Sequence, residues 1–204
     1  MEMGAVELSA NEECAGRPFA APTYTVRDAG IMQRMLERLR VLVAGWSGDK
    51  TGFLVCEPDS DGHRHWIRAP NLAALRAASG MTAVGFFGRA RADIDHLPIH
   101  ELETGIVDTL ETISGVLCYY DVALAEGGYG NLILCATPDT PRRVDTHPLH
   151  RRAVELTPRH YHCVRLHTGV VPGRFLGDDS LVIERTRYYD FDCNPPWLAV
   201  RNLP

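Results

Sequence analysis

Five of the chain's nine histidines lie between residues 147 and 167, in the stretch HPLHRRAVELTPRHYHCVRLH. Imidazole titrates close to neutral pH and is a common metal ligand, so a group of histidines can serve acid–base catalysis or hold a metal ion. The five are His147, His150, His160, His162 and His167. Which chemistry they support depends on the elements that carry them.

The first candidate pair is His147 and His150. The segment THPLHRRAVEL is predicted to form a short helix, and residues three apart lie on the same face of a helix. Two neutral imidazoles on one face can bind a metal ion, or one can be the axial ligand of a heme iron. We therefore identify His150 as a candidate metal or heme ligand, with His147 as its substitute. The alternative is a solvated histidine at the start of a helix.

The second candidate group lies on a predicted strand, HYHCVRLH at 160–167. Strict alternation places His160 and His162 on one face, and Cys163, Arg165 and His167 on the other. If either face lines a cavity, burial favours neutral imidazole, so His162 or His167 can act as a general base. Arg165 would then be a fixed cation for a carboxylate or a heme propionate. The alternative is an edge strand with polar ends.

The N-terminal part of the chain carries weaker patterns. Residues 1–21 are predicted to be a loose arm, and residues 22–80 an α+β half that packs on or extends a sheet. Within that half, YTVRD is typical of a short strand, and Asp28 can cap a helix that ends at Gly45. TGFLVCE and HRHWIRA indicate two strands joined by the turn PDSDG, and PNLAALRAASG indicates a short helix.

The second half has a clearer order. From residue 81 to 167 the pattern predicts strand, helix, strand, strand, helix and strand, with a glycine-bearing hairpin loop, AEGG, between the two middle strands. This is the split βαβ or ferredoxin-like arrangement, an α+β fold with an antiparallel sheet and helices on one face. We assign it to 81–190 and describe 191–204 as a Pro-rich tail.

The strands of this unit are apolar on both faces, which indicates a second covering layer. Val84 and Phe86 oppose Ala83 and Phe87 on one strand. Helices on one face leave the other face bare, so something must cover it. A second sheet would do so, either from a partner subunit or from the N-terminal half.

Composition excludes several classes of partner. The formal net charge is -5 and no run of Lys and Arg forms a stripe, so nucleic acid is not an expected partner. No stretch approaches the 18 or so apolar residues of a membrane span. The six cysteines have no framework spacing, and reduced thiols in the cytoplasm are the simplest interpretation.

The element order at 81–169 resembles the dimeric α/β-barrel superfamily, which includes antibiotic-biosynthesis-type monooxygenases, heme-degrading monooxygenases, chlorite dismutases and aldoxime dehydratases. The resemblance is one of fold. It implies a homodimer and, for the heme-binding members, a histidine on a helix of the ferredoxin-like unit that holds the iron; His150 lies in the comparable helix. Heme-degrading members also use an aromatic residue before that histidine and an Asn on the first strand, and both are missing here.

Together these observations predict a small oxidoreductase or lyase that acts on a small organic molecule, with a heme held by His150. One alternative is a cofactor-free monooxygenase in which His162 or His167 takes a proton from a phenol-like substrate and the carbanion reacts with oxygen. The other alternative is a non-catalytic dimer that binds a small ligand.

Overall fold

The computed structural model describes residues 4–48, 53–58, 64–124 and 127–204, which form one sheet with helices packed on it. The helices are α1 (Pro22–Gly45), α2 (Leu72–Ala77), α3 (Leu97–Thr109), α4 (Thr140–Thr146) and α5 (Pro148–His160). The strands are β1 (Val6–Leu8), β2 (Phe53–Pro58), β3 (Arg64–Ala69), β4 (Ser79–Ala90), β5 (Val116–Leu124), β6 (Gly128–Cys135), β7 (Tyr161–Arg174), β8 (Val182–Asp190) and β9 (Trp197–Asn202).

The nine strands of the described chain lie in the order β1-β9-β8-β7-β4-β6-β5-β3-β2. At the centre, β7, β4, β6 and β5 are antiparallel neighbours, with α3 between β4 and β5 and α5 before β7. This is the strand order of the split βαβ unit, so the α+β, ferredoxin-like fold predicted from 81 onward is confirmed. β8, β9 and β1 extend the sheet beyond β7, and β3 and β2 extend it beyond β5.

α3 and α5 pack against each other on one face of the central strands, as the sequence predicts. Gly105 on α3 gives Leu149 on α5 room to approach, because a Cβ at residue 105 would lie 3.1 Å from a Leu149 methyl group. A buried apolar cluster joins these helices to the sheet through Ile106, Val107, Leu110, Ile113, Val116 and Tyr119. The pairing fixes this face of the ferredoxin-like unit.

The opposite face of the sheet is covered by α1 and α2 of the same chain. Gly85 on β4 allows the close approach of α1, because a Cβ there would lie 2.5 Å from the Met32 sulfur. The largest buried cluster lies in this layer and includes Met32, Leu36, Leu39, Val43, Leu72 and Leu75. The N-terminal half therefore supplies the cover, but as helices and not as the second sheet that we expected. A homodimer stays a prediction, but the need for a second covering layer no longer supports it.

α1 begins earlier than the sequence pattern indicated. Its first helical residue is Pro22, so the segment YTVRD, expected to be a strand, forms the first turns of the helix. Proline suits this position because it lacks an N–H that would have no partner there. Asp28, expected to cap the helix, is an interior helical residue with a fully buried side chain.

The two ends of the chain pack together in the sheet. β1 pairs in parallel with β9, which pairs antiparallel with β8. Arg201 on β9 is fully buried and donates hydrogen bonds to the carbonyl oxygens of Ala10, Glu12 and Ala20. The described part of the arm expected to be loose, and the Pro-rich tail, thus form the edge of the sheet beyond β8.

Two loops predicted from the sequence lie partly outside the described residues. These are the turn PDSDG, of which 59–62 are not described, and the hairpin loop AEGG, of which 125 and 126 are not described. Among the helices of the described chain, none combines the length and the apolar character that crossing a bilayer requires.

Candidate functional site

α1 crosses the strands of the sheet, and its successive turns lie over different strands. The contacts that establish this are Thr25 with Tyr188 on β8, Asp28 with Arg165 on β7, and Met32 with Gly85 on β4. α1 therefore forms a roof across several strands.

An open cleft of about 870 Å³ lies between α1 and the sheet. One side of α1 forms its roof, where Tyr24, Arg27, Ile31, Arg34 and Arg38 recur at helical spacing. The N-terminal arm contributes Pro18 and Phe19 to its wall. The cleft is thus bounded by elements that are far apart in the sequence.

The floor of the cleft is formed along rows of residues that pair with one another across neighbouring strands. One row runs through His65, Val122, Gly130, Phe87 and Arg165, from β3 across to β7. Neighbouring strands lie about 4.8 Å apart, so the four steps between His65 and Arg165 cover about 19 Å of sheet. A second row, on the same face, runs through Leu124, Gly128, Arg89, Cys163 and Asp190.

His162 reaches this cleft because β7 is bulged there. Arg89 pairs with Cys163, but the next residue, Ala90, pairs with Tyr161, so His162 is the extra residue of the bulge. The alternation predicted for 160–167 therefore fails at this point. Tyr161 packs in a cluster with α3, whereas His162 and Cys163 both line the cleft.

His162 forms a hydrogen-bonded pair with Asp192. Its Nδ1 lies 2.9 and 3.0 Å from the two carboxylate oxygens, and about one third of its side chain is exposed. Arg91 Nη1, which can only donate, also lies 3.2 Å from Nδ1, but the carboxylate, which can only accept, is nearer. We therefore assign the proton to Nδ1, which leaves Nε2 as the nitrogen with a free lone pair in the neutral ring. Nε2 makes no hydrogen bond within the described residues.

Asp192 is held as an anion by its neighbours. Its other close partner is Arg91, whose Nη2 lies 2.9 Å from a carboxylate oxygen. Slight burial acts to raise the pKa of Asp192, but the hydrogen bond from His162 and the charge of Arg91 outweigh it and lower the pKa. The ionised carboxylate orients the ring of His162 and would stabilise its protonated form, as the acid of a Ser-His-Asp triad does.

Arg165 lines the cleft, but its charge is already balanced. Asp28 on α1 lies above it, with 2.5 Å between Arg165 Nε and Asp28 Oδ2 and 3.2 Å between Nη2 and Oδ1. The guanidinium also lies 5.0 Å from the ring centre of Tyr24. Arg165 is therefore bound to the protein's own carboxylate, and not to a ligand as the sequence analysis proposed.

His167 lies behind the cleft wall and does not line it. Its side chain is fully buried, with Nδ1 2.9 Å from the Thr186 hydroxyl and Nε2 3.1 Å from Asp28 Oδ2. Burial lowers the pKa of His167 and outweighs the opposing effect of Asp28, so the ring is neutral. Because both nitrogens are engaged, His167 supports Asp28 and Arg165 and is not placed to meet a substrate.

A second cleft histidine was missed by the sequence analysis. His65 on β3 is buried, and its Nδ1 lies 2.5 Å from the hydroxyl of Tyr120 on the neighbouring strand β5. Both side chains line the cleft. The available signal was the alternation in HRHWIRA, which places His65 on the same buried face as Ile67 and Ala69.

The proposed heme ligands lie elsewhere. His147 and His150 stand at the start of α5, on the side of the sheet opposite α1, and neither lines the cleft. The nearest charged partner of His150 is Asp145, with its Oδ1 3.9 Å from Nδ1. Buried Nδ1 atoms without a hydrogen-bond partner occur in both histidines, and neither histidine lines the cleft or the smaller pocket beside Trp197. The heme ligand expected at His150 therefore stays a prediction that the cleft does not support.

Metal-ligating side chains are also dispersed in the part of the chain that the structure describes. No group of three or more His, Cys, Asp or Glu residues there has an arrangement that could hold a metal ion. His150, the metal ligand expected from the sequence, therefore has no described partners for that role.

Comparisons with known proteins give little beyond this geometry. No protein-family model matches the chain, and no curated protein matches it. A ferredoxin-fold protein from Listeria monocytogenes, related to antibiotic biosynthesis monooxygenases, is 12% identical over 61% of this chain and 88% of its own, with a TM-score of 0.33. A monooxygenase-like protein from Listeria innocua is also 12% identical, over 60% of this chain and 78% of its own, with the same TM-score.

Proposed function

We propose that this chain is an enzyme that removes a proton from a small organic molecule bound in the cleft under α1, with His162 as the general base. The observation that carries the proposal is the His162–Asp192 pair at the cleft wall, 2.9 Å apart. Of the three residues expected to act in catalysis, His162 alone combines contact with the cleft and a ring nitrogen without a partner in the described chain. Arg165 and His167 stabilise the wall behind it.

The proposed step moves one proton. Nε2 of His162 takes it from an acidic C–H or O–H of a phenol-like substrate, and the electron pair stays on the substrate, delocalised into its ring. Asp192 keeps the proton on Nδ1 and stabilises the imidazolium that forms. The anion can then expel a leaving group, which is a lyase reaction, or react with dissolved oxygen, which is an oxidoreductase reaction.

The cleft favours such a step because it limits contact of the reacting group with water. Phe19, Tyr24 and Tyr120 line it with aromatic surface. A bound aromatic molecule would displace water from around His162, and a lower local dielectric strengthens the attraction between Asp192 and a protonated ring. The base is thus supported by its setting as well as by its partner.

The test is a screen of activated phenols and carbon acids, in which absorbance measures turnover and an oxygen electrode measures oxygen uptake. For any compound that is turned over, we expect His162→Asn to lower kcat by about 100-fold or more and Asp192→Asn to lower it substantially, because general-base catalysis contributes roughly that much. Oxygen uptake matched to turnover identifies the oxidoreductase, and turnover without uptake identifies the lyase.

His100→Gln is the matched control. His100 lies on α3, on the opposite side of the sheet, and does not line the cleft. This variant should keep the wild-type rate. Full activity of His162→Asn on the same substrate would overturn the proposal.

A further inference from the structure

Within the described chain, five arginines and two aspartates line the cleft. We propose that it binds an elongated aromatic anion with negative groups at both ends, about 10 Å apart. This inference rests on the proposed function for the location of the substrate and names the substrate's chemical class.

The roof presents a row of arginines along the long axis of the cleft. Arg27, Arg34 and Arg38 line it from the same side of α1. Because a helix rises 1.5 Å per residue, Arg27 and Arg34 are about 10.5 Å apart along the axis. Both side chains are exposed, but Arg27 also lies 3.5 Å from Oδ1 of the buried Asp28, a carboxylate that it shares with Arg165.

The acids that line the cleft are neutralised by cations outside it. Asp190 lies 3.1 Å from Arg17, and Asp192 is held by Arg91, and neither arginine lines the cleft. These two aspartates are the acids that line it within the described chain. They therefore do not balance the charge of Arg34 on the roof.

Two cleft arginines have weak or no partners in the described chain. Arg34 makes no hydrogen bond or ion pair there. Arg89, on the floor, reaches only to 4.0 Å from Asp192 and is 63% exposed. A roof cation and a floor cation are thus available to a ligand, whereas the buried charge of Arg165 is taken by Asp28.

The same cleft offers surface for a flat ring. Phe19 lines the wall, and Tyr24 lines the roof with the guanidinium groups of Arg27 and Arg165 at 4.7 and 5.0 Å from its ring centre. Gly128 lines the floor between β5 and β4 without a side chain, so the floor is open there. An aromatic body fits along this floor with its charged ends toward Arg27 and Arg34.

Three naphthalene probes share one ring system and differ in charge. They are 2-naphthoate with one charge, 2-naphthyl phosphate with its charge at one end, and 2,6-naphthalenedicarboxylate with a charge at each end. Fluorescence titration of the full chain measures the dissociation constant of each, at low and at physiological ionic strength.

We expect the dicarboxylate to bind about tenfold more tightly than 2-naphthoate, because each end gains a charge-assisted hydrogen bond. The phosphate should fall between them. Arg27→Gln and Arg34→Gln should each reduce the preference for the dicarboxylate to about twofold. Arg142→Gln, an 85% exposed arginine on α4, should leave all three constants unchanged.

Equal binding of the dicarboxylate and 2-naphthoate would overturn the inference, as would a preference that survives Arg34→Gln or tightest binding of the phosphate. None of these results tests His162 as the general base. His162→Asn tests the proposed function through turnover, and it should leave the ranking of the three probes in place.

Discussion

Asp28 on α1 and Arg165 on β7 form a buried ion pair that joins the roof of the cleft to its floor, through two contacts of 2.5 and 3.2 Å. The Asp28 side chain is fully buried, and Arg165 is 5% exposed. Burial acts to raise the pKa of Asp28, but hydrogen bonds from His167 and Arg165 outweigh it and lower the pKa. This carboxylate is therefore the polar contact that fixes α1 to β7, beside the apolar packing of the same helix.

Replacing that carboxylate should destabilise the fold strongly. Asp28→Asn leaves the charge of Arg165 buried beside a neutral amide, and loss of one partner from a buried pair costs about 3 to 5 kcal/mol. Urea unfolding at neutral pH measures the loss. Asp139→Asn is the control, since Asp139 is 75% exposed in a surface pair with Arg142 and should change stability by less than about 0.5 kcal/mol.

The double variant Asp28→Leu, Arg165→Met adds a second test. If the penalty comes from an unpaired charge, removing both charges should recover most of the stability that Asp28→Asn loses. A double variant no more stable than Asp28→Asn would mean that the shape of the pair matters more than its charge.

His167 should make stability depend on pH between neutral and mildly acidic conditions. Burial lowers its pKa below the ordinary 6.5, against the opposing effect of Asp28, so the unfolded chain takes up a proton more readily than the folded one. Its contribution is therefore complete above pH 6.5 and is lost as the pH falls through the folded-state pKa. The groups that face it are Asp28, Arg165, Thr186 and Phe87.

His167→Gln removes this titration while keeping a polar side chain. The free energy of unfolding of this variant should fall less steeply below pH 6.5 than that of the wild type. His100→Gln, which changes a half-buried histidine on α3 on the other side of the sheet, should keep the wild-type slope. The same slope in His167→Gln and the wild type would contradict this account.

Local signals in the sequence were sufficient for the central unit. The order of strands and helices predicted from 81 to 167 is the order observed, and β5 is a continuous apolar run preceded by a glycine. That residue, Gly115, has a φ of 94° and lies in the turn between α3 and β5. Such features depend on neighbours in the sequence, and single-sequence patterns report those well.

The site depended on relationships that no local pattern contains. The bulge that exposes His162 is set by the pairing of β7 with β4, and the burial of Asp28 is set by the crossing of α1 over β7. The histidine count drew attention to 147–167, but His65 on a distant strand shares the cleft instead of His150. Residue type identified candidates, and tertiary packing selected among them.

A buried carboxyl on the other side of the sheet should respond to pH in the opposite sense to His167. Burial raises the pKa of Asp121 well above its ordinary 3.8, and the nearby Glu103 raises it further. The folded chain therefore holds this proton more tightly than the unfolded chain, and the stability it contributes is complete below pH 3.8 and lost as the pH rises through the folded-state pKa.

Asp121→Asn should remove the loss of stability that ionisation of Asp121 causes as the pH rises. The variant should unfold at a higher urea concentration than the wild type above neutral pH, with the difference shrinking as the pH approaches 4. Asp108→Asn, at an exposed position on α3, provides the comparison and should not change the midpoint. A destabilised Asp121→Asn at alkaline pH would show that the carboxylate is better accommodated there than its burial indicates.

Binding of added hemin distinguishes an iron ligand at His150 from recognition of anions by the cleft. The two propionates of hemin are carboxylates on one edge of an aromatic ring, so uptake by the cleft should depend on Arg34 and not on His150, which lies on the opposite side of the sheet. Titration of added hemin, followed at roughly 400 nm where porphyrins absorb, should show weaker uptake by Arg34→Gln and unchanged uptake and band position in His150→Gln. A band that shifts only in His150→Gln would instead identify that histidine as the iron ligand and move the heme away from the cleft.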